Sequence, residues 1–163
     1  MNRRHFIRLA FGGACACYAM ARIPAAFAAG QAVVKIYKTE EEWKHMLTKE
    51  QYCVLREEGT ERPFSSPLNE EKRAGVFACA GCGLELFTSK TKFDSGTGWP
   101  SFYQPIEGRV ETKVDRTLGM ERVEYHCAKC GGHQGHVFED GPKPTGLRYC
   151  NNGVALTFTP EKG

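Results

Sequence analysis

The feature that most constrains the fold is a repeated C-x-x-C sequence, formed by Cys79 and Cys82 and again by Cys127 and Cys130, with a glycine directly after each pair. Two such turns together supply the four sulfur ligands of a closed tetrahedral zinc site. Because 44 residues separate the pairs, the ion would join distant parts of the chain. We therefore predict one structural Zn²⁺ with no open position for water. The alternative is two disulfide bonds, which an oxidising compartment favours.

Short β-like segments separated by glycines make up most of the chain. Residues 122–127 and 154–158 alternate apolar and polar side chains, the pattern of half-buried strands. Thr39 and Glu42 match a capping box and predict a short helix over residues 40–50, whereas residues 59–67 are predicted to be irregular. The composition, 41% hydrophobic and 25% charged, excludes a disordered chain and a multi-span membrane protein. We predict one mainly β, antiparallel domain with a short N-terminal helix.

The first 28 residues resemble an export signal. A basic start is followed by an uncharged stretch over residues 9–21 and by the small-x-small sequence Ala26–Ala28. Arg3 and Arg4, with Phe6 and Ile7 after them, resemble the twin-arginine signal of bacteria, which generally serves proteins exported after folding. An ordinary secretory signal is the alternative. We predict a signal peptide over residues 1–28, a domain over residues 29–163 and a periplasmic location.

Removal of that signal changes the charge of the protein. The full chain has a formal net charge of +3, but residues 1–28 contain four arginines and no acidic residue. The remaining chain has 18 basic and 19 acidic residues, a charge of −1. The positive charge is therefore no evidence for nucleic-acid binding or for a membrane anchor, and we predict neither.

Cys150 is the candidate nucleophile. An isolated cysteine is more often a small buried side chain, but Arg148 lies two positions before it and is able to lower its thiol pKa. Upstream, His133 and His136 form an H-x-x-H sequence, which is also compatible with metal binding or with surface histidines. A cysteine with histidines and an arginine suits thiolate chemistry assisted by a general acid. A zinc-bearing binding module and a disulfide-bonded structural protein are the competing classes.

The chain resembles the B-type peptide-methionine sulfoxide reductases from about Trp43 to Phe158. The motifs that carry the resemblance are GTERPF (59–64), CAGC (79–82), KFDSGTGWPSF (92–102), HQGHVFEDGP (133–142) and RYCNN (148–152). The resemblance implies two antiparallel sheets in a barrel-like or tent-like arrangement, with zinc away from the active site. It also implies reduction of the R epimer of methionine sulfoxide, in proteins or peptides. From the predicted periplasmic location we expect a thioredoxin-like reductant, and we expect the protein to be a monomer.

The resemblance also assigns roles to individual residues. Cys150 would attack the sulfoxide sulfur and become a sulfenic acid. His133 or His136 would supply the proton that the oxygen requires, and Asn152 would organise their hydrogen bonds. Trp99 would form an aromatic wall against the methyl group of the substrate. Arg148 and Asp140 would hold the site electrostatically.

Two positions depart from the family pattern. Gln134 replaces a common leucine between the two histidines, and Thr97 stands where many members carry the resolving cysteine. Cys53 is the one remaining unassigned cysteine after residue 28. Either Cys53 forms a disulfide with Cys150 to clear the sulfenic acid, or Cys53 is a packing residue and an external thiol attacks Cys150 directly.

Overall fold

The computed structural model describes residues 32–162. The predicted signal peptide, with Cys15 and Cys17, lies outside these residues, so export remains a prediction. Among the described residues, no helix is both long and apolar enough to cross a membrane.

Two short helices begin the described fold. Helix α1 spans Glu40–Met46, and its predicted capping box is confirmed, since the Thr39 side chain accepts from the Glu42 N–H and the Glu42 carboxylate accepts from the Thr39 N–H. The predicted helix over residues 40–50 is too long, because a second capping box, formed by Thr48 and Gln51, starts helix α2 (Lys49–Glu57). This second helix was not predicted, although the sequence T-x-x-Q indicates its start.

Nine strands of the described chain form two antiparallel sheets, as predicted. The smaller sheet has the order β2-β1-β9 and the larger has the order β3-β4-β8-β7-β6-β5. The strands are β1 (Gly75–Cys79), β2 (Glu85–Thr88), β3 (Lys92–Phe93), β4 (Ser101–Phe102), β5 (Val110–Asp115), β6 (Arg122–Cys127), β7 (His133–Phe138), β8 (Arg148–Asn151) and β9 (Leu156–Pro160). Of the segment 59–67 that was predicted to be irregular, residues 59–66 are irregular, whereas Pro67 begins a 3₁₀ turn (Pro67–Asn69).

An aromatic core joins the two sheets. Phe77 and Phe87 come from the smaller sheet, whereas Phe102 and Tyr125 come from the larger, and all four are fully buried. Phe87 stacks on Phe102 with ring centroids 4.2 Å apart, and Phe77 meets Phe102 edge-on at 5.0 Å. Each aromatic side chain buries a large apolar area, and their stacked and edge-on geometries are the favourable ones for aromatic rings. The contact of the two sheets therefore rests on these rings.

In strand β6, the alternation of apolar and polar residues does not by itself predict which side chains are buried. Its apolar face includes the buried Tyr125 but also Val123, which is 42% exposed. On its polar face, Glu124 is only 2% exposed, because it lies between Lys113 and His133. Both faces of the strand are covered at its centre, one by the aromatic core and the other by charged partners.

Candidate active site

The four predicted zinc ligands come together at the junction of the two sheets. Cys79 and Cys82 flank the turn between β1 and β2, and Cys127 and Cys130 flank the turn between β6 and β7. Their sulfur atoms all lie within 4.8 Å of one another. The two glycines that follow the pairs have positive φ angles, 71° at Gly83 and 68° at Gly131, which explains why glycine occupies both positions.

The sulfur spacing fits a metal and excludes disulfide bonds. The Cys79 and Cys130 sulfurs are 3.6 Å apart and those of Cys82 and Cys127 are 3.5 Å apart. A disulfide requires about 2.05 Å, whereas sulfurs 2.3 Å from a tetrahedral zinc lie about 3.8 Å apart. The six cysteines of the described residues are all free thiols. The cluster is thus a candidate metal site with four sulfur ligands.

Strand β8 places Cys150 at the centre of the larger sheet. In the antiparallel register, Cys150 is paired with His136 of β7 on one side and with Ser101 of β4 on the other. The thiol borders a cavity of about 160 Å³, large enough for a small side chain such as an oxidised methionine. Its other lining residues are Thr60, Trp99, Arg122, Gly135, His136, Phe138, Asn151 and Asn152.

The pKa of the Cys150 thiol is set by opposing effects. Burial raises this pKa above its ordinary value, while the positive charge of Arg148 and hydrogen bonding by Thr97 and Arg148 lower it in part. Arg148 is 7% exposed and donates to both oxygens of Asp140 at 2.8 Å. This two-point contact fixes the guanidinium, which also lies over the Phe138 ring. Arg148 and Asp140 therefore form an ion pair beside the thiol.

The two histidines occupy different environments. His136 lines the cavity, and its Nε2 atom lies 2.8 Å from Asp115 Oδ2. Burial lowers the pKa of His136, and Asp115 opposes that change. His133 is 3% exposed, lies outside the cavity lining and has its Nδ1 atom 2.9 Å from Glu124 Oε1. Only His136 of this pair therefore faces the space in which a substrate would sit.

Asn152 links the cavity to the cysteine cluster. Its backbone N–H and its side-chain amide both donate to the carbonyl of Gln134, at 2.8 and 3.0 Å. The fully buried side chain of Gln134 in turn donates to the Cys79 sulfur at 3.4 Å. The departure from leucine at position 134 thus adds a donor to the candidate metal site.

Trp99 and Cys53 lie on different sides of the cavity wall. The half-buried Trp99 indole borders the cavity, as expected for a residue that contacts substrate, and donates through Nε1 to the carbonyl of Glu61 at 3.2 Å. Cys53 is an exposed thiol on α2 and lines a separate cavity of about 760 Å³. The structure therefore does not bring Cys53 and Cys150 together, although Thr60 lines both cavities.

The sequence analysis missed several side chains of the site. Thr60, Arg122 and Phe138 line the cavity, and Asp115 pairs with His136. Arg122 also donates to Asp115 at 2.6 Å. None of these four carries a spacing signal, because each reaches the cavity only through strand pairing or through a loop crossing.

Comparisons with known proteins identify a family. The model of the SelR domain matches residues 47–160. The chain is 59% identical over 129 residues to the peptide methionine sulfoxide reductase MsrB of Methanosarcina mazei, covering 78% of this chain and 92% of that protein. It is 60% identical over 131 residues to the MsrB of Pseudomonas putida strain W619, covering 79% and 98%. It is 53% identical over 128 residues to the MsrB of Leptospira interrogans, covering 78% and 98%. The four-cysteine cluster, the cavity beside Cys150 and these matches agree, and the chain belongs to the SelR-domain family, that of the B-type peptide methionine sulfoxide reductases.

Proposed function

We propose that this chain is a peptide-methionine (R)-S-oxide reductase that repairs oxidised proteins. The observation that carries the proposal is the reactive arrangement at Cys150, a thiol beside the fixed guanidinium of Arg148 and in register with His136, at a cavity walled by Trp99. The high identity to reductases of this name over most of the chain supports the same activity.

The first step is attack by the Cys150 thiolate on the sulfoxide sulfur. Arg148 favours the thiolate, because its charge opposes the rise in thiol pKa that burial causes. The sulfoxide S–O bond breaks, methionine leaves, and the oxygen and one proton remain on Cys150 as a sulfenic acid. The sulfoxide is reduced by two electrons and the cysteine is oxidised by two.

His136 is the group best placed to protonate the departing oxygen, since it alone of the two histidines faces the cavity. Asp115 accepts from its Nε2 atom and orients the ring. Trp99 offers an apolar face to the S-methyl group, and the protein substrate continues outside the small cavity. These contacts favour one sulfoxide epimer because the oxygen and the methyl group meet different walls.

The activity predicts a specific result with separated sulfoxide epimers. In the presence of dithiothreitol, the protein is expected to consume the R epimer of a blocked methionine sulfoxide and to leave the S epimer. Cys150→Ser is expected to reduce this rate to background, because a hydroxyl is a far weaker nucleophile than a thiolate. Chromatography of the product measures both rates, and Cys53→Ser is the control, since dithiothreitol can reduce Cys150 directly. Equal consumption of both epimers, or of neither, would contradict the proposal.

Cys53 is proposed as the resolving thiol that attacks the sulfenic acid and releases water. Support comes from its exposure, its position beside the wall that Thr60 shares with the Cys150 cavity, and the hydroxyl of Thr97 where a thiol is common in the family. The Cys53–Cys150 disulfide would then be reduced by a thioredoxin-like protein.

A single turnover tests that role. Treatment of reduced protein with one equivalent of substrate, without reductant, is expected to yield a Cys53–Cys150 disulfide in peptide mapping. Cys53→Ser is expected to lose most of its thioredoxin-supported rate and to keep its dithiothreitol-supported rate. Undiminished turnover of Cys53→Ser with thioredoxin would show instead that the external thiol attacks Cys150 directly.

The metal is proposed to be one zinc ion per chain, bound by the thiolates of Cys79, Cys82, Cys127 and Cys130. Four sulfur donors at these separations suit zinc, which holds the two turns together and leaves no open position. Elemental analysis is expected to give one zinc per wild-type chain and none for Cys82→Ser. Loss of the ion is expected to lower the melting temperature by about 10 °C or more. Cys53→Ser should retain zinc, and a metal-free wild-type protein with the same melting temperature would overturn the assignment.

Export through the twin-arginine route is also proposed, on the sequence of residues 1–8. Folding before export would allow the thiolates to bind metal in the reducing cytosol. In a bacterium with this route, the double variant Arg3→Lys/Arg4→Lys is expected to stay in the cytoplasm, whereas the wild type reaches the periplasm. Cell fractionation with immunoblotting measures the distribution. Undiminished periplasmic protein in the double variant would exclude the twin-arginine route.

A further inference from the structure

One residue of the loop before β1, Glu61, is tied both to the turn after β8 and to two residues that line the Cys150 cavity. Its carboxylate accepts from the backbone N–H of Gly153 at 2.6 Å and from that of Val154 at 2.9 Å. Its own N–H donates to Asn152 Oδ1 at 3.0 Å, and its carbonyl accepts from Trp99 Nε1 at 3.2 Å. Every polar group of this residue thus has a partner, and two of the partners, Trp99 and Asn152, line the Cys150 cavity.

The turn after β8 supplies both the donors and the space for this carboxylate. Gly153 and Val154 open the 3₁₀ turn that follows β8, so their N–H groups have no strand partner and require an acceptor. A Cβ atom at Gly153 would meet Ser66 Oγ at 2.0 Å and Glu61 Oε1 at 3.3 Å. Glycine at position 153 therefore leaves the space in which the loop approaches the turn.

The backbone of Glu61 carries the contacts that matter to substrate. Thr60, its neighbour, lines the Cys150 cavity, and Trp99 and Asn152 line it as well. The carboxylate fixes the position of the Glu61 backbone, and the backbone then fixes the indole of Trp99 and the side-chain amide of Asn152. Three parts of the cavity wall depend on one side chain that lies outside the cavity lining itself.

We propose that Glu61 is a positioning residue for substrate, a carboxylate clamp that holds Thr60, Trp99 and Asn152 as one wall against the methionine side chain. The clamp rests on the proposed function, since the wall is a substrate wall only if the cavity takes methionine sulfoxide. Glu61 takes no part in the sulfur chemistry, because its side chain contacts neither Cys150 nor His136 in the hydrogen bonds of the site.

Kinetics of Glu61→Ala and Glu61→Gln test the clamp against a matched control, Glu107→Gln, which replaces an exposed glutamate in the turn before β5. Loss of two hydrogen bonds to a charged acceptor is expected to lower kcat/KM of Glu61→Ala for the R epimer about tenfold, mostly through a higher KM. Glu61→Gln keeps an acceptor and is expected to recover part of the loss. The alkylation rate of Cys150 by iodoacetamide should stay unchanged, because the thiol and Arg148 are untouched.

Amide hydrogen exchange provides a readout that needs no activity. The Gly153 and Val154 amides are expected to exchange about tenfold faster or more in Glu61→Ala, as their acceptor is lost, whereas amides of β6 should be unaffected. Unchanged exchange at both amides would overturn the clamp, whatever the enzyme does. Faster exchange with an unchanged KM would overturn its role toward substrate. An inactive wild-type protein with a normal exchange result would instead count against the proposed function alone.

Discussion

The fold depends on the closure of the four-cysteine cluster. One pair of cysteines belongs to the turn of the smaller sheet and the other belongs to the turn of the larger sheet, so bringing the sulfurs within 4.8 Å fixes how the sheets meet. The two sheets contain three and six strands, none of them longer than six residues. A metal bound by the four thiolates, as proposed, would stabilise this arrangement, because it would restrict the chain where loop closure is otherwise entropically costly. The aromatic rings of Phe77, Phe87 and Phe102 then pack between the two sheets.

Strand β7 connects the four-cysteine cluster to the cavity beside Cys150. This strand begins two residues after Gly131, and its third residue after His133 is His136, which is paired with Cys150. Gln134 lies between the two histidines, donates to the Cys79 sulfur and accepts from Asn152 with its carbonyl. A shift of the cysteine cluster would therefore move Asn152 and the cavity wall. The metal site proposed at this cluster would thus influence catalysis by position alone, without taking part in the chemistry.

The sequence predicted the parts of this protein that local spacing determines. The zinc-type cysteine pairs, the first capping box, the two-sheet antiparallel class and the grouping of Cys150 with Arg148 all follow from short-range patterns. What escaped prediction depends on contacts between distant segments: Asp115 reaches His136 across two strand pairings, and Thr60 reaches the cavity from a loop. Glu124 illustrates the limit, since its polar position in an alternating strand indicates exposure, yet Lys113 and His133 bury it. The second helix could have been predicted, because the sequence contains its capping box, Thr48 and Gln51.

Burial at Cys150 has two consequences that oppose each other. A half-buried thiol excludes water from the sulfur and presents it to a cavity that fits one side chain, but the same burial raises the thiol pKa and disfavours the nucleophile. Arg148 offsets part of this rise, and two hydrogen bonds to Asp140 hold its guanidinium in place near the thiol. Burial of Cys150 also makes its sulfenic acid hard to reach after the reaction, because Cys53 does not line the cavity that contains it. Thr60 lines both cavities, so we expect that the proposed resolution by Cys53 requires the segment around Thr60 to move.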